Sequence, residues 1–579
     1  MPSHGLYFHH RIKLLSWVLF AVMAIIVARL FYMQVLQHEK YVSLAMSEQV
    51  KSLVIPAQRG EVYALDEGKP VKLVLNETVY TVFVDPVEVK KPQEIVQAVR
   101  EIAGGTMRSN IETLVRKKPS RYQIIATQVT RKQAELLKEK KLAGLGMQKT
   151  SRRVYPEGQM AAQVLGFVNA EGNGQYGIEE KMNTELQGKD GLLRSVTDVN
   201  QVPLTIGDHN IRHPAVNGKN IVLSIDRNVQ SYTEMALEAA LTKNNIKYGS
   251  VLVMDPQSGK VLAMANLPTY NPQEFTKVMD GAAFNNGTIT EPYEPGSVMK
   301  TFTVATALDK GIIEPNSTYV NTDKIQVEDR TITNASKGQT GTITMQHALN
   351  WSLNTGMVTI AQRMGDGKTI TKGARATMYD YFHNKFGLGE KTHIQLAGEQ
   401  SGDIVSPDDV EGNAVRYSNM SFGQGMDLTM VQVSAGFSSL VNGGKYYAPT
   451  IVSGNVNDDG SYTALPTPQP LRQTISPEAS VKAKQMIRGA REAFYSKNDK
   501  KGYDVGGKTG TSQTIVNGQY NFEQTPGTYI GYGGDTAARY VIMVRVASPG
   551  RALAGTDAMP IFTDISNWMI DYMQLAPKG

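Results

Sequence analysis

The chain has 579 residues, with 60 Lys and Arg against 54 Asp and Glu, a formal net charge of +6. That length suggests two or three domains, and so mild a positive excess is not the footprint of a nucleic-acid-binding protein. Apolar residues at 41% exclude global disorder, and the absence of cysteine excludes disulfides, thiolate metal sites and a cysteine nucleophile.

Residues 14–36 form a 23-residue stretch with one charge, Arg29. A bilayer core takes about 20 apolar residues in a helix, and an arginine near one end can snorkel to the interface. Trp17, Phe31 and Tyr32 lie towards the ends of the stretch, where interfacial aromatics belong, and Arg11 and Lys13 precede it. The expectation is a cytoplasmic tail at 1–13, one uncleaved transmembrane helix at 14–36, and the bulk of the chain outside the cytoplasm, periplasmic or extracellular. A cleaved signal peptide needs a small-x-small site after the apolar run, and Leu30-Phe31-Tyr32-Met33 is too bulky for one.

Residues 38–54 read as a polar helix. From Pro56 to about 215 the pattern is mixed, with short β-branched runs at 71–75 and 79–84 and helices such as 134–140. The polar, turn-rich stretch 207–219 reads as a boundary, dividing a domain at 37–215 from one at 216–579. Beyond it, 221–225 reads as a strand and 229–241 as a helix. Residues 248–254 and 261–265 read as a hairpin around Asp255-Pro256-Gln257-Ser258-Gly259. Several helices follow, then strands at 528–532 and 540–546 and an amphipathic helix at 560–575. Strands at both ends with helices between predict an α+β domain whose sheet joins distant parts of the chain.

Two glycine patterns fail on context. Gly502 to Thr509 matches G-x-x-x-x-G-K-T, but a phosphate-binding loop needs a buried strand before it and a helix after it, and neither is predicted. Gly172 to Gly177 matches G-x-G-x-x-G without the chained βαβ units of a dinucleotide fold, and reads as a turn between strand and helix. His209 and His213 flank Asn210 next to Pro214 in a loop, so neither a metal nor a cofactor is expected.

Ser297-Val298-Met299-Lys300 opens a helical run in which Val298, Phe302, Ala305 and Leu308 repeat at helical spacing, with Gly311 as a stop. Ser297 and Lys300 then share a face one turn apart. Free amides at the helix start suit an oxyanion, and a buried lysine beside a second cation is depressed enough to act as a base. Lys508-Thr509-Gly510-Thr511 falls on a predicted strand, where small residues allow another backbone to approach and the lysine and hydroxyls suit a carboxylate. Between them S-x-N occurs at Ser352-Leu353-Asn354, Ser453-Gly454-Asn455 and Ser496-Lys497-Asn498. The first lies in an apolar helical stretch, 345–364, and the other two in polar, turn-like sequence. Ser352 and Asn354 are therefore the expected pair.

In that order the three elements resemble the signature of penicillin-binding proteins and serine β-lactamases. The likeness is to class B penicillin-binding proteins, and it spans nearly the whole chain. Arg59-Gly60, Arg153-Val154-Tyr155-Pro156, Gly177-Ile178-Glu179, Tyr293-Glu294-Pro295-Gly296-Ser297 and Phe422-Gly423-Gln424-Gly425 are also family-like. Ala64-Leu65-Asp66 departs from it, standing where an aspartate-arginine pair is usual.

The resemblance implies an α+β protein with an N-terminal transmembrane helix and an elongated mixed pedestal (dimerisation-type) domain. It also implies a transpeptidase domain with an antiparallel sheet flanked by helices and an all-helical subregion. Ser297 would be the acylated nucleophile and Lys300 its base. Ser352 would pass the proton towards the leaving amine, Asn354 would orient Lys300 and the substrate backbone, and Lys508 would keep Lys300 neutral. Thr509 and Thr511 would bind the substrate carboxylate, Gly510 would let the donor peptide lie beside the strand, and the amides of Ser297 and Thr511 would form the oxyanion hole.

The implied reaction is a two-step acyl transfer from D-Ala-D-Ala of one peptidoglycan stem peptide to the amine of another, inhibited by β-lactams. The implied partners are the inner membrane, division or elongation proteins and a polytopic FtsW-type glycosyltransferase. A septal FtsI-type role is expected over an elongation role on overall length and the 422–425 segment. A β-lactam hydrolase would need a deacylating glutamate, and no Glu-x-x-Leu-Asn follows Asn354; a non-catalytic sensor or scaffold would need signalling segments or a lost Ser or Lys.

Overall fold

A helix runs from Gly5 to Phe31 and continues through a π-helical turn, Tyr32–Leu36. Its Arg11–Leu36 stretch contains 18 consecutive residues with a mean hydropathy of 2.4, and Leu15, Trp17, Phe20 and Ile25 are exposed along it. By length and composition it suffices for one membrane crossing, as expected of residues 14–36. The computed structural model describes residues 5–41, 50–196, 211–512, 514–516, 519–521 and 525–578. By its contacts the chain forms two units, Met1–Gln58 with Gly188–Gly218, and Arg59–Gln187 with Lys219–Gly579.

In the first unit the helix expected at 38–54 is present at 38–41 and corrected at its far end. Residues 42–49 lie outside the described residues, and Val50–Ile55 is a strand. It pairs antiparallel with Gly191–Val196, which also pairs with Ile211–His213. The β-branched Val54 and Ile55 fit a ladder better than a helix. Of the turn-rich boundary stretch, 207–210 lie outside the described residues.

The second unit holds a five-stranded antiparallel sheet: β1 (Tyr248–Met254), β2 (Val261–Leu267), β3 (Asp504–Thr511), β4 (Gly527–Gly534) and β5 (Ala538–Ala547). The order is β2-β1-β5-β4-β3, so the sheet joins distant parts of the chain as expected. Val251 and Val253 with Ile542 and Val544 fill one core, while Leu252, Met254 and Met543 fill the other. Both faces are therefore covered, which is why the strands read as continuous apolar runs rather than as alternation.

The flanking helices are α1 (Arg227–Asn244), α2 (Lys300–Asp309), α3 (Met345–Asn350), α4 (Asn354–Arg363), α5 (Met430–Val441), α6 (Pro477–Glu492) and α7 (Gly555–Tyr572). Asp226 starts α1 by accepting bonds from the amides of Asn228 and Val229. α7 begins before the expected Pro560, because the Asp557 carboxylate accepts the Ala554 amide at 2.7 Å and fixes the end there. α2 is buried from Lys300 to Leu308, with the hydroxyls of Thr301, Thr303 and Thr306 bonded to backbone carbonyls, so its first residue is drawn out of water with the rest.

A second sheet runs through both sides of residue 215. Strand Asn220–Asp226 lies parallel to Val62–Asp66 and antiparallel to Val452–Val456. Next to them, Lys69–Val84 is one long strand rather than the two runs expected at 71–75 and 79–84. Its ladder with Leu145–Val154 is unbroken from Leu75 to Val84.

The Asn76 side chain within that strand donates to the carbonyl of Arg59 and accepts from Arg153 at 2.9 Å. Both arginines converge on Glu179, Arg59 Nε at 2.7 Å and Arg153 Nε at 2.7 Å. The Glu179 side chain is 0% exposed, and the arginines are 10% and 7% exposed. Three separate family-like segments thus meet on one carboxylate. Removing one member of a buried charge set strands the others, at a cost of about 3–5 kcal/mol. Glu179→Ala should lower the first thermal unfolding transition by several degrees at neutral pH; an unchanged calorimetric trace would show that the network carries no stability.

Candidate active site

Ser297 lies on a single 3-10 turn, Gly296–Met299, that runs directly into α2. The approach is built on glycine. Gly296 has φ +61°, and a Cβ there would sit 2.5 Å from the carbonyl oxygen of Thr511. Its amide donates to the Gly423 carbonyl at 2.9 Å. A Cβ on Gly510 would meet the Pro295 carbonyl at 2.7 Å. β3 ends the sheet, so its outer side accommodates this turn in place of a further strand. The serine turn and the Lys-Thr-Gly strand are thus in backbone contact, as the sequence pattern predicts.

The stretch 345–364 is not one helix. α3 stops after Asn350, and Ser352 has φ +56°. The Leu353 amide bonds to the Ala348 carbonyl at 2.8 Å and the Ser352 amide to that of Leu349 at 3.2 Å. This is a Schellman ending with serine where glycine is usual, and a left-handed non-glycine residue costs about 1–3 kcal/mol. The return for that strain is geometric, because the Ser352 carbonyl belongs to neither helix. Lys300 Nζ donates to that carbonyl at 2.6 Å and to Asn354 Oδ1 at 2.7 Å, and lies 3.2 Å from Ser352 Oγ. Asn354 Nδ2 donates to the Thr333 carbonyl at 2.9 Å, which fixes which end of the amide faces the lysine.

Lys508 reaches the same hydroxyl from β3. Its Nζ lies 2.9 Å from Ser352 Oγ and 3.3 Å from Thr509 Oγ1. Lys300 is 1% and Lys508 3% exposed. Burial pushes the Lys300 amine well below its ordinary range, and the neighbouring Lys508 pushes it further. Burial alone lowers Lys508 to about 7. A neutral amine has two hydrogens and a lone pair. On Lys300 the two short contacts take the hydrogens, leaving the lone pair for a hydroxyl proton.

Ser297, Ser352, Asn354, Thr509 and Thr511 line one cavity of about 490 Å³. The structure therefore gathers all eight expected residues: five on the cavity wall, the two lysines beneath it, and Gly510 against the serine turn. Ser453 and Ser496, from the rejected S-x-N matches, do not line it. Sequence reasoning missed Trp351, Phe494 and Tyr495, which make an aromatic edge to the cavity, with Trp351 and Phe494 edge to face at 5.0 Å. The position of Trp351 beside Ser352 was the available signal. The segment 422–425, to which the sequence assigned no part in the site, supplies the Gly423 carbonyl that anchors Gly296, and Phe422 and Gln424 line the cavity.

A family profile described as the penicillin binding protein transpeptidase domain matches residues 249–567, more than half of the chain. The chain belongs to that family. A second profile, the penicillin-binding protein dimerisation domain, matches residues 54–223. Penicillin-binding protein PbpB of Mycolicibacterium smegmatis is 29% identical over 74% of this chain and 66% of its own length, so the chain spans about two thirds of it. Peptidoglycan D,D-transpeptidase FtsI of Escherichia coli is 26% identical over 100% of this chain and 94% of its own. The fold matches that of penicillin-binding protein 3 from Mycobacterium tuberculosis complexed with aztreonam, with a TM-score of 0.68 at 24% identity, covering 91% of this chain and 98% of that one. The two profiles together mark the chain as a penicillin-binding protein that joins a dimerisation domain to a transpeptidase domain.

For this transpeptidase the two lysines set a pH dependence. Acylation by a fluorescent penicillin should rise with pH as Lys300 loses its proton and fall as Lys508 loses its own, near pH 7. Lys508→Ala removes one of the two causes that depress Lys300, so the rising limb should move to higher pH. A rising limb in the same place for wild type and Lys508→Ala would show that the amines are not coupled.

Proposed function

We propose that the chain cross-links stem peptides in the septal wall through an acyl-enzyme on Ser297, anchored by residues 14–36 with residues 1–13 in the cytoplasm and the bulk outside. The observation that carries it is the convergence of Lys300 Nζ and Lys508 Nζ on Ser352 Oγ at the wall of the cavity that Ser297 lines. Ser297 Oγ bonds to the carbonyl carbon of the penultimate D-Ala, and its proton passes to Lys300. Ser352 relays a proton to the departing D-Ala amine. The amine of a neighbouring stem peptide then attacks the ester, and Ser297 recovers its proton.

Asn354 orients Lys300 and the donor backbone. Lys508 carries the site's cation and, with Thr509 and Thr511, holds the donor carboxylate. Gly510 gives the donor room beside β3. The amides of Ser297 and Thr511 stabilise the oxyanion, a kind of contact worth about 3–4 kcal/mol each. A β-lactam acylates Ser297 in the same way, as the aztreonam complex of the mycobacterial relative suggests. Residues 37–215 serve as a pedestal for the domain at 216–579, and a polytopic FtsW-type glycosyltransferase supplies the glycan strand. The septal assignment rests on the likeness to FtsI over the full chain.

The full-length protein in detergent should label with fluorescent penicillin on the peptide containing Ser297. Ser297→Ala should abolish the label, and Lys300→Ala should slow it by about 10²–10⁴-fold. Label persisting on Ser297→Ala would end the assignment. Depletion in the host should block division and give filaments; swelling without filamentation would move the role to elongation.

A further inference from the structure

One cross-strand row spans the whole sheet: Asn266 on β2, Ser250 on β1, Arg545 on β5, Thr528 on β4 and Gly510 on β3 stand opposite one another in turn. Opposed residues in antiparallel strands present their side chains to the same face. At the Gly510 end that face carries the serine turn, because a Cβ on Gly510 would meet the Pro295 carbonyl. Arg545, two strands away, is the charged member of the row.

Arg545 grips the segment leading to Ser297 at two points. Its Nη1 donates to Glu291 Oε2 at 2.7 Å. Its guanidinium carbon lies 4.6 Å from the centre of the Tyr293 ring. The ion pair is sheltered on one side, with the Arg545 side chain 17% and the Glu291 side chain 55% exposed. Tyr293 exchanges backbone bonds with Leu428 at 3.0 and 2.9 Å, Glu294 accepts the Gly425 amide at 2.7 Å, and Gly296 bonds to Gly423. Those contacts tie the segment to 423–428. Arg545 ties it to the sheet that carries Lys508.

We propose that Arg545 is a positioning residue: through Glu291 and Tyr293 it holds the 291–296 segment, and with it Ser297, in register with β3. It touches none of the reacting groups. A misplacement of a nucleophile by a fraction of an ångström costs rate, whereas the shape of the substrate cavity is left intact. The guanidinium also lines a separate open cavity of about 330 Å³, together with Ser250, Asn266 and Glu291. Truncating it enlarges a space already present and leaves no sealed void in the core, so the variant should fold.

This inference rests on Ser297 being the nucleophile. Saturation kinetics of acylation by a fluorescent penicillin, on full-length protein in detergent, separate the limiting rate from the half-saturating concentration. Arg545→Ala should lower the limiting rate about tenfold while the half-saturating concentration stays within about twofold and the unfolding midpoint within about 2 °C. Arg545→Lys, which restores a charge for Glu291 without a flat face for Tyr293, should recover part of the loss, and Glu291→Gln should cost about threefold. A wild-type limiting rate in Arg545→Ala would overturn the proposal, as would a loss fully accounted for by fewer titratable sites. If Arg545→Ala does not fold, wild-type limiting rates in both Arg545→Lys and Glu291→Gln would overturn it. Ser297→Ala in parallel keeps the two ideas apart. Label on that variant breaks the nucleophile assignment, and a normal Arg545→Ala rate breaks only the positioning.

Discussion

Two buried amines that meet on one hydroxyl define this molecule. Lys300 and Lys508 approach the Ser352 hydroxyl from opposite elements, and both are sealed from water. Two unit charges 4 Å apart repel by about 4 kcal/mol even at an effective dielectric of 20, so charge on one amine opposes charge on the other. Much of the surrounding architecture enforces that condition. α2 is buried on all sides and draws Lys300 inside with it. The edge position of β3 brings Lys508 in from the sheet. The interrupted helix at Ser352 supplies a carbonyl and a hydroxyl at one point. The strained serine is therefore part of the proton's address, since a regular helix there would keep its carbonyls for itself.

Much of this was legible from local sequence. Helical spacing after Ser297 predicted α2, and small residues around Lys508 predicted a strand that another backbone could approach. The hairpin at 248–265 and the closing strands were readable from apolar runs bounded by turn residues. The break at Ser352 was hidden because Leu349, Leu353 and Met357 keep the apolar helical spacing going across it, and no glycine marks the left-handed residue. Arg59, Arg153 and Glu179 were each noticed as parts of family-like segments. That they meet depends on strand pairings and turns brought together over more than 100 residues, which no local pattern carries. Arg545 illustrates the same limit. In sequence it is a polar interruption of an apolar strand, and only the cross-strand register reveals what lies opposite it.

The order of strands in the catalytic sheet has a consequence for how the enzyme comes into being. β1 and β2 are made early, and β3 to β5 more than 200 residues later. At about 5–20 residues per second, roughly ten seconds or more separate the two halves of one sheet during synthesis. Through that interval β1 waits without β5, with its bonding edge unfilled, and such edges invite pairing with foreign chains. High contact order of this kind also slows the final closure. The serine is translated well before the second lysine, so a nascent chain carries a nucleophile with no means of activating it. Reactivity arrives only when β3, β4 and β5 have threaded back to complete the sheet.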